Sequence, residues 1–392
     1  MKHTLKETIR SQAHRMGFDL VRFATGEPFY NRAAIARQRI DQGLMDGLPW
    51  YHEARVERGS SPTKLLPGTQ SLISLGVSYF TPHPVNPNDG ILRGRVARYA
   101  WGKDYHRVID KRMLELIRIL PLLCGHEVRA KAYVDTGPMQ DRAVAERAGL
   151  GWFGKNTNIL APGYGSWIFL AQILTDLELP PDEPLKKTCG SCQACITQCP
   201  TGAIIAPYVI DNSRCISFLT IELSGPIPRE LRPLMADWVF GCDICQDVCP
   251  VNRKATPTKE PSFLPGEHGY SALDLLPLLE VNEEEFHLLF QGTAITRAKR
   301  TGIQRNVCVA LGNIGNPVAV QPLISALNNG ESLVRGHAAW ALGRIGTPKC
   351  LSTLERAQER EADPWVREEI AAAMEPLESI NKAVASPSIC QP

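Results

Sequence analysis

Eight of the twelve cysteines in this 392-residue chain fall between Cys189 and Cys249, and their spacing constrains the fold more than any other feature. Cys189, Cys192, Cys195 and Cys199 form a C-x2-C-x2-C-x3-C run closed by Pro200. Thiolates are soft, charged ligands suited to iron–sulfur clusters. This is the bacterial ferredoxin spacing, in which the fourth cysteine serves the other cluster. A half-motif follows, Cys242-x2-Cys245-x3-Cys249-Pro250, and Cys215 is the one cysteine left between the halves. The crossed assignment predicts one 4Fe–4S cluster on Cys189, Cys192, Cys195 and Cys249. It predicts a second on Cys199, Cys215, Cys242 and Cys245. Zinc, the competing reading, takes four cysteines per tetrahedral site and accounts for neither the triple spacing nor the Cys-Pro endings. Two clusters imply a one-electron relay without defining a substrate.

Composition excludes the other uses of so many thiols. Hydrophobic residues are 44% and charged residues 21% of the chain, ordinary values for a globular protein. Disulfide frameworks belong to short secreted chains, and the N-terminal MKHTLKETIRSQAH lacks the apolar core of a signal peptide. No apolar run approaches the roughly 20 residues of a membrane span. A cytoplasmic protein without a membrane partner is expected. The net charge of +2 argues neither for nor against a polyanionic partner.

Three stretches are expected. Residues 1–180 read as a mixed α/β domain, with strands at Ser71–Phe80, Glu127–Val134 and Trp167–Leu174. Helices are expected at Val108–Leu120 and, opened by Pro138, at Met139–Ala148. Residues 181–255 read as a ferredoxin-like double-cluster domain. Residues 256–392 read as a linker and an all-α repeat domain. There the segment Asn306–Pro317 recurs 31 residues later as His337–Pro348, with Ala, Leu, Gly, Ile, Gly and Pro in register. That period and punctuation point to paired helices of the HEAT type, which stack into solenoids that bind large partners.

The first stretch holds several candidates. Asp135 falls at the carboxyl end of an expected strand, before Thr136-Gly137-Pro138. It reads as a helix cap or Asx turn, or as a proton donor at a strand end. Gly149-x-Gly151-x-x-Gly154 matches the dinucleotide fingerprint in letters only, since a helix precedes it and Trp152 and Phe153 fill it. It better suits backbone approach to a flat cofactor, or a plain tight loop. Residues 93–112 carry seven basic side chains against two acids, interleaved with Tyr99, Trp101 and Tyr105. That composition suits phosphates and bases, or a solvated face. Lys299, Arg300 and Arg305 add a second basic island at the start of the repeats, which fits a localised polyanion site. His106 and His337 read as hydrogen-bonded structural residues.

The combination resembles the epoxyqueuosine reductases of tRNA modification. The resemblance is carried by Arg98-Tyr-Ala-Trp-Gly-Lys-Asp-Tyr-His106, Asp135-Thr-Gly-Pro138, Asp141-Arg-Ala-Val-Ala-Glu146 and Gly149-Leu-Gly-Trp-Phe-Gly-Lys-Asn156. The crossed cysteines, Cys215-Ile-Ser-Phe-Leu-Thr-Ile-Glu222 and the terminal repeats extend it over nearly the whole chain. Position 103 is Lys where the family often has Arg. The resemblance implies a cobalamin enzyme that reduces the epoxide of epoxyqueuosine in tRNA to the alkene of queuosine, fed by the two clusters. It implies that Asp135 is the acid. It places cobalamin contacts around Arg58, Arg98, Asp135, Asn158, Ser217 and Asp243. To donate near neutral pH, Asp135 is expected to be protonated, with burial beside the cofactor raising its pKa. The electron donor is expected to be a reductase or a flavodoxin- or ferredoxin-type carrier, and the protein a monomer. The alternatives are a corrinoid-dependent reductive dehalogenase and an iron–sulfur electron carrier with a docking solenoid.

Overall fold

The strand Ser71–Ser78 is buried along its whole length, and the first half of the molecule is built around it. In this computed structural model, which describes residues 4–82, 89–265 and 271–385, it lies inside a four-stranded sheet. The order is Leu20–Thr25, Ser71–Ser78, Ile168–Thr175, Ala130–Tyr133, and every pairing is antiparallel. Alternate side chains serve two cores, as the period of a strand dictates. Ile73, Leu75 and Val77 face a layer containing Ile9, Ala13, Ile109, Met113, Leu116 and Leu120. Leu72 and Leu174 face Met139, Ala143 and Val144. Each such aliphatic side chain contributes about 1.5–3 kcal/mol on full burial.

The helix Tyr105–Cys124 supplies most of the first layer. It begins three residues before the expected start because Asp104 caps it, accepting from the backbone N–H of His106 at 3.0 Å. It ends at Gly125 in the left-handed region. The expected strand at 127–134 is shorter, Ala130–Tyr133. The expected helix after Pro138 starts only at Asp141 and runs to Arg147. Pro138 therefore does not open it. An antiparallel sheet also removes one reason offered for Asp135, since the rule of ligands at carboxyl strand ends belongs to parallel α/β sheets.

The chain divides into two units, each assembled from separate stretches. The first holds Met1–Pro84, Arg98–Cys215 and Asp243–Tyr270; the second holds Val85–Ala97, Ile216–Cys242 and Ser271–Pro392. The division crosses the expected boundaries at 180 and 255, because Ile216–Cys242 groups with the repeats. In the second unit a three-stranded sheet runs Trp238–Phe240, Arg93–Val96, Ala272–Asp274. The repeats are the helices Lys299–Ile314, Val320–Asn329, Ser332–Ile345, Pro348–Arg360 and Pro364–Ala385. The repeated glycines let them pack closely: a Cβ on Gly312 would meet Ala341 at 2.9 Å, and one on Gly343 would meet Ala373 at 2.8 Å. No helix among the described residues is long and apolar enough to cross a membrane.

Candidate active site and cluster-binding loops

Asp135 follows the strand Ala130–Tyr133 and adopts φ +54, a left-handed conformation unusual for a non-glycine residue. Such strain costs of order 1–3 kcal/mol and persists where the surroundings over-determine it. Here they do. Thr136 N–H donates to the Val134 carbonyl at 2.6 Å. Arg55 donates to the carbonyl oxygens of Thr136 and Gly137 at 3.3 and 2.5 Å. A Cβ on Gly59 would overlap the Pro138 carbonyl oxygen, so the helix Glu53–Gly59 lies directly on this loop. Arg55 and Gly59 carry no signal in the sequence, since their partners are eighty residues away.

The carboxyl accepts one side-chain hydrogen bond and has a ring nitrogen nearby. Tyr105 donates its hydroxyl to Asp135 Oδ2 at 2.6 Å. His106 Nε2 lies 3.5 Å from the same oxygen, and His106 Nδ1 lies 2.7 Å from Asp104 Oδ1. The Tyr105 ring is clamped between the His106 ring and Phe169, both with centroids at 4.1 Å. Water reaches 66% of the Asp135 side chain, although protein crowds it enough to disfavour its charge.

Desolvation pushes the Asp135 carboxyl up, but the His106 and Tyr105 donors and the charges of His106 and Arg142 outweigh it, so it is held below its ordinary value. In the protein alone the carboxyl thus leans to its charged form, opposite in direction to the protonation expected beside the cofactor. Desolvation pulls His106 down, yet Asp104 and Asp135 outweigh that and raise it to about 9. At neutral pH the pair is an imidazolium facing a carboxylate. His106 and His337 are both hydrogen-bonded, as expected, and His106 also lies beside the candidate acid. His337 is buried, accepts from Ile227 N–H at 3.2 Å and lies 2.7 Å from the Leu333 carbonyl.

The residues fit a corrinoid in part. Among the described residues, Thr81 Oγ1 and Asp141 Oδ1 are buried without a hydrogen-bond partner, the kind of atoms that amides on a corrinoid rim would satisfy. Arg58 is exposed on the helix that supports the Asp135 loop. Asn158 is half-buried, its backbone paired to Gly154 and Asn156. Arg98 and Asp243 correct the expectation, being 3% and 1% exposed. Asp243 accepts from the Arg98 backbone N–H at 2.8 Å, Arg98 Nε donates to the Thr81 carbonyl at 2.8 Å, and the guanidinium lies 4.2 Å from the Trp167 ring. This is an internal brace. Ser217 is half-buried in the helix Ile216–Ile221 of the second unit.

The cysteines of the first expected cluster come together. Burial raises the Cys195 thiol, and nearby Cys189, Cys249 and Cys192 raise it further. Cys249 feels Cys189 and Cys192 in turn. Among the described residues no three Cys, His, Asp or Glu groups converge on a single-ion site; thiolates around a cube stand farther apart than four on one ion at about 2.3 Å. Cys192 is the exposed member. The loop is tied down by the Gly154-Lys155-Asn156 segment: Lys155 donates to the Gly190 and Cys192 carbonyls at 2.7 and 2.9 Å, and Asn156 to the Cys245 carbonyl at 3.2 Å. The glycine-rich segment thus serves the cluster loops. It does not offer bare backbone to a flat cofactor, because a Cβ on Gly149 or Gly151 would strike the Glu183 or Leu160 carbonyl.

The basic islands are largely spent. Arg93 pairs with Asp89 and Asp274, Arg95 with Asp237, and Arg112 with Glu260. Lys103, Arg107 and Lys111 remain exposed. In the repeats Lys299 is exposed, while Arg300 pairs with Glu283 and Glu331. Arg305 is 1% exposed and donates to the carbonyls of Leu219, Leu223 and Gly225. It cannot meet a phosphate, which corrects its expected role.

Comparison with known proteins extends this picture. The chain matches the family described as epoxyqueuosine reductase QueG, DUF1730 over residues 60–136, the 4Fe-4S double cluster binding domain over 188–252 and HEAT repeats over 293–375. It is 34% identical to the epoxyqueuosine reductase of Bacillus cereus over 380 residues, covering 95% of this chain and 97% of that one. It is 40% identical to the Escherichia coli epoxyqueuosine reductase over 311 residues, covering 78% and 80%. A crystal structure of an epoxyqueuosine reductase with an epoxyqueuosine-modified tRNA-Tyr stem loop matches with TM-score 0.90 at 34% identity, covering 95% of this chain and 99% of that one. A Bacillus subtilis epoxyqueuosine reductase, solved with its catalytic aspartate loop swung out of the active site, matches with TM-score 0.89 at 34% identity and the same coverage.

Proposed function

The chain belongs to the epoxyqueuosine reductase family, and from that premise we propose how its residues reduce epoxyqueuosine to queuosine in tRNA. Electrons pass through two 4Fe–4S clusters. The first is held by Cys189, Cys192, Cys195 and Cys249, an assignment supported by their mutual approach. The second is assigned to Cys199, Cys215, Cys242 and Cys245 on spacing. Cobalamin, when bound, supplies the strongly reducing centre that the epoxide carbon needs. Arg58, Asn158 and Ser217 are its proposed contacts here, and Thr81 and Asp141 offer unpartnered polar atoms.

The observation that carries the reading is the Asp135 carboxyl, open to water yet fixed by Tyr105 and His106. Removing the epoxide oxygen takes two electrons and two protons and yields an alkene and water. Charge builds on oxygen as the C–O bond breaks, and a positioned acid typically contributes 10²–10⁴ in rate. Asp135 delivers that proton and Tyr105 fixes which lone pair faces the substrate. The loop bearing the aspartate moves in the Bacillus subtilis relative, and the Arg55 and Gly59 contacts hold it here.

The tRNA backbone is proposed to meet Lys299 and Arg300 at the start of the repeats, and the exposed Lys103, Arg107 and Lys111 around the start of the helix Tyr105–Cys124. The electron donor is proposed to be a flavodoxin- or ferredoxin-type carrier or a reductase, and the protein to act as a cytoplasmic monomer. The dehalogenase and electron-carrier alternatives lose ground, because relatives at 34% and 40% identity over most of the chain are epoxyqueuosine reductases. The test is an anaerobic assay of the reconstituted protein with epoxyqueuosine-containing tRNA and a chemical reductant, the nucleosides read by mass spectrometry. Loss of one oxygen mass, dependent on added cobalamin, is expected. Turnover without cobalamin overturns the cofactor assignment, and no turnover in the loaded protein overturns the substrate.

A further inference from the structure

A carboxylate held in its ionised form is a poor acid by itself, so the proton must be stored beside it. Asp135 has few neighbours that could do so. Tyr105 donates to it at 2.6 Å, but burial and the Asp135 charge raise the phenol well above its ordinary value. Asp141 is buried and raised well above the usual carboxylate range, yet it faces the backbone N–H of Asp135 and no hydrogen bond links the two carboxyls. His106 remains.

Its placement is specific. Asp104 ends the loop before the helix Tyr105–Cys124 and accepts from the His106 backbone N–H at 3.0 Å. The same oxygen, Oδ1, lies 2.7 Å from His106 Nδ1. One aspartate therefore caps the helix and fixes the ring. With Nδ1–H committed to Asp104, the other ring proton sits on Nε2, 3.5 Å from Asp135 Oδ2. Stacking on Tyr105 at 4.1 Å holds the ring plane. An acid that orients an imidazole for a third group is the logic of catalytic triads. His106 Nε2 is buried and makes no hydrogen bond in this structure; catalytic contacts are often long in the free enzyme and tighten in the reacting complex.

We propose that His106 is the proton reservoir of this site, a positioning residue that recharges Asp135 with the proton delivered to the leaving oxygen. The inference rests on Asp135 acting as the acid. As the epoxide C–O bond breaks and the reduced enzyme supplies the electrons, the Nε2 proton moves to Asp135 Oδ2 and the carboxyl passes a proton on to the oxygen. Asp135 ends as the carboxylate it was at rest, and His106 is left neutral. Water recharges His106, and a second proton from water completes the release of the oxygen as H2O. The pair thus needs no free carboxylic acid at rest. The charged and titratable groups facing it are Asp104 and Asp135, with Tyr105 stacked on the ring, Arg107 near Asp104, and Arg142 and Asp141 near Asp135.

Two measurements on the reconstituted holoenzyme test this. The first follows hydrogen exchange at the histidine ring carbon by peptide mass spectrometry, which titrates each histidine separately. His106 is expected to titrate near 9 in the wild type and to fall by at least about one unit in Asp104→Asn. Titration at the ordinary value of about 6.5 in the wild type overturns the proposal. The second is the pH profile of single-turnover epoxide reduction with a chemical reductant. The wild-type rate is expected to hold across neutral pH and fall only above about 9, following the same titration. In His106→Gln it is expected to fall roughly tenfold per pH unit through neutrality. A His106→Gln profile that superimposes on the wild type overturns the reservoir. If His106→Gln fails to load its cofactors, Asp104→Asn keeps the imidazole, and its break must move to lower pH; an unmoved break overturns the proposal. A wild-type rate in Asp135→Asn removes the acid itself, whatever His106 does.

Discussion

The ammonium of Lys155 is bonded to the carbonyl oxygen of Cys192 at 2.9 Å, and through Gly190 it holds the same loop a second time. A buried cation beside a cluster favours the more negative, reduced form, because cluster potentials respond to nearby charge and hydrogen bonds. Lys155→Met should lower the potential of the first cluster, by about 60 mV for each 1.4 kcal/mol of lost preference. Redox titration followed by EPR reads it. An unchanged potential with intact iron content would assign Lys155 a purely mechanical role.

Cys249→Ser should remove the first cluster although Cys249 lies far along the chain from Cys189, because the four thiols meet in space. About half the iron should be lost. Iron content and the EPR of the reduced protein check this. Loss of the second cluster instead would reverse the crossed assignment.

The approach of Cys249 to Cys189, Cys192 and Cys195 was legible in the spacing. The repeats were equally legible, since their glycines and prolines recur wherever helices must touch or start. The roles of the basic residues were not. Arg300 and Arg305 have the same chemistry in sequence, but one lies near the surface in acid pairs and the other is enclosed by three carbonyls. Nor could spacing reveal that Asp104 turns His106 toward Asp135, or that Arg98 and Asp243 close on each other. Those depend on loops that meet only in the fold.

Arg305→Met should leave tRNA affinity and its salt slope unchanged while lowering stability by about 3 kcal/mol or more, since several buried carbonyls lose their donor at about 1–3 kcal/mol each. Lys299→Ala should do the opposite and flatten the salt dependence. Urea unfolding and filter binding at two salt concentrations separate them.

His337 predicts an acid sensitivity of the repeat unit. Desolvation, then the charges of Arg232 and Arg305, lower its pKa well below the ordinary value. The folded state keeps it neutral while the unfolded chain protonates it below about pH 6.5. Its favourable share is thus complete above that pH and is lost as pH falls, by up to about 1.4 kcal/mol per unit. Unfolding at pH 5.5 and 7.5 should show a smaller difference in His337→Gln than in the wild type.

Gly59→Ala should displace the Asp135 loop, because a Cβ there would overlap the Pro138 carbonyl oxygen. Turnover should drop at least about tenfold, on the scale of losing positioning of an acid, with both clusters retained. Unchanged turnover would show that the loop does not need this support.

The account stands most directly on Asp135→Asn in holoenzyme verified to carry cobalamin and both clusters. The exchange keeps the shape of the side chain and removes its capacity to carry an acidic proton. Single-turnover reduction of epoxyqueuosine-containing tRNA, started with a chemical reductant, should slow by about 10² or more. Reduction at the wild-type rate, with the chemical step shown to limit turnover, would contradict the assignment of Asp135 as the acid.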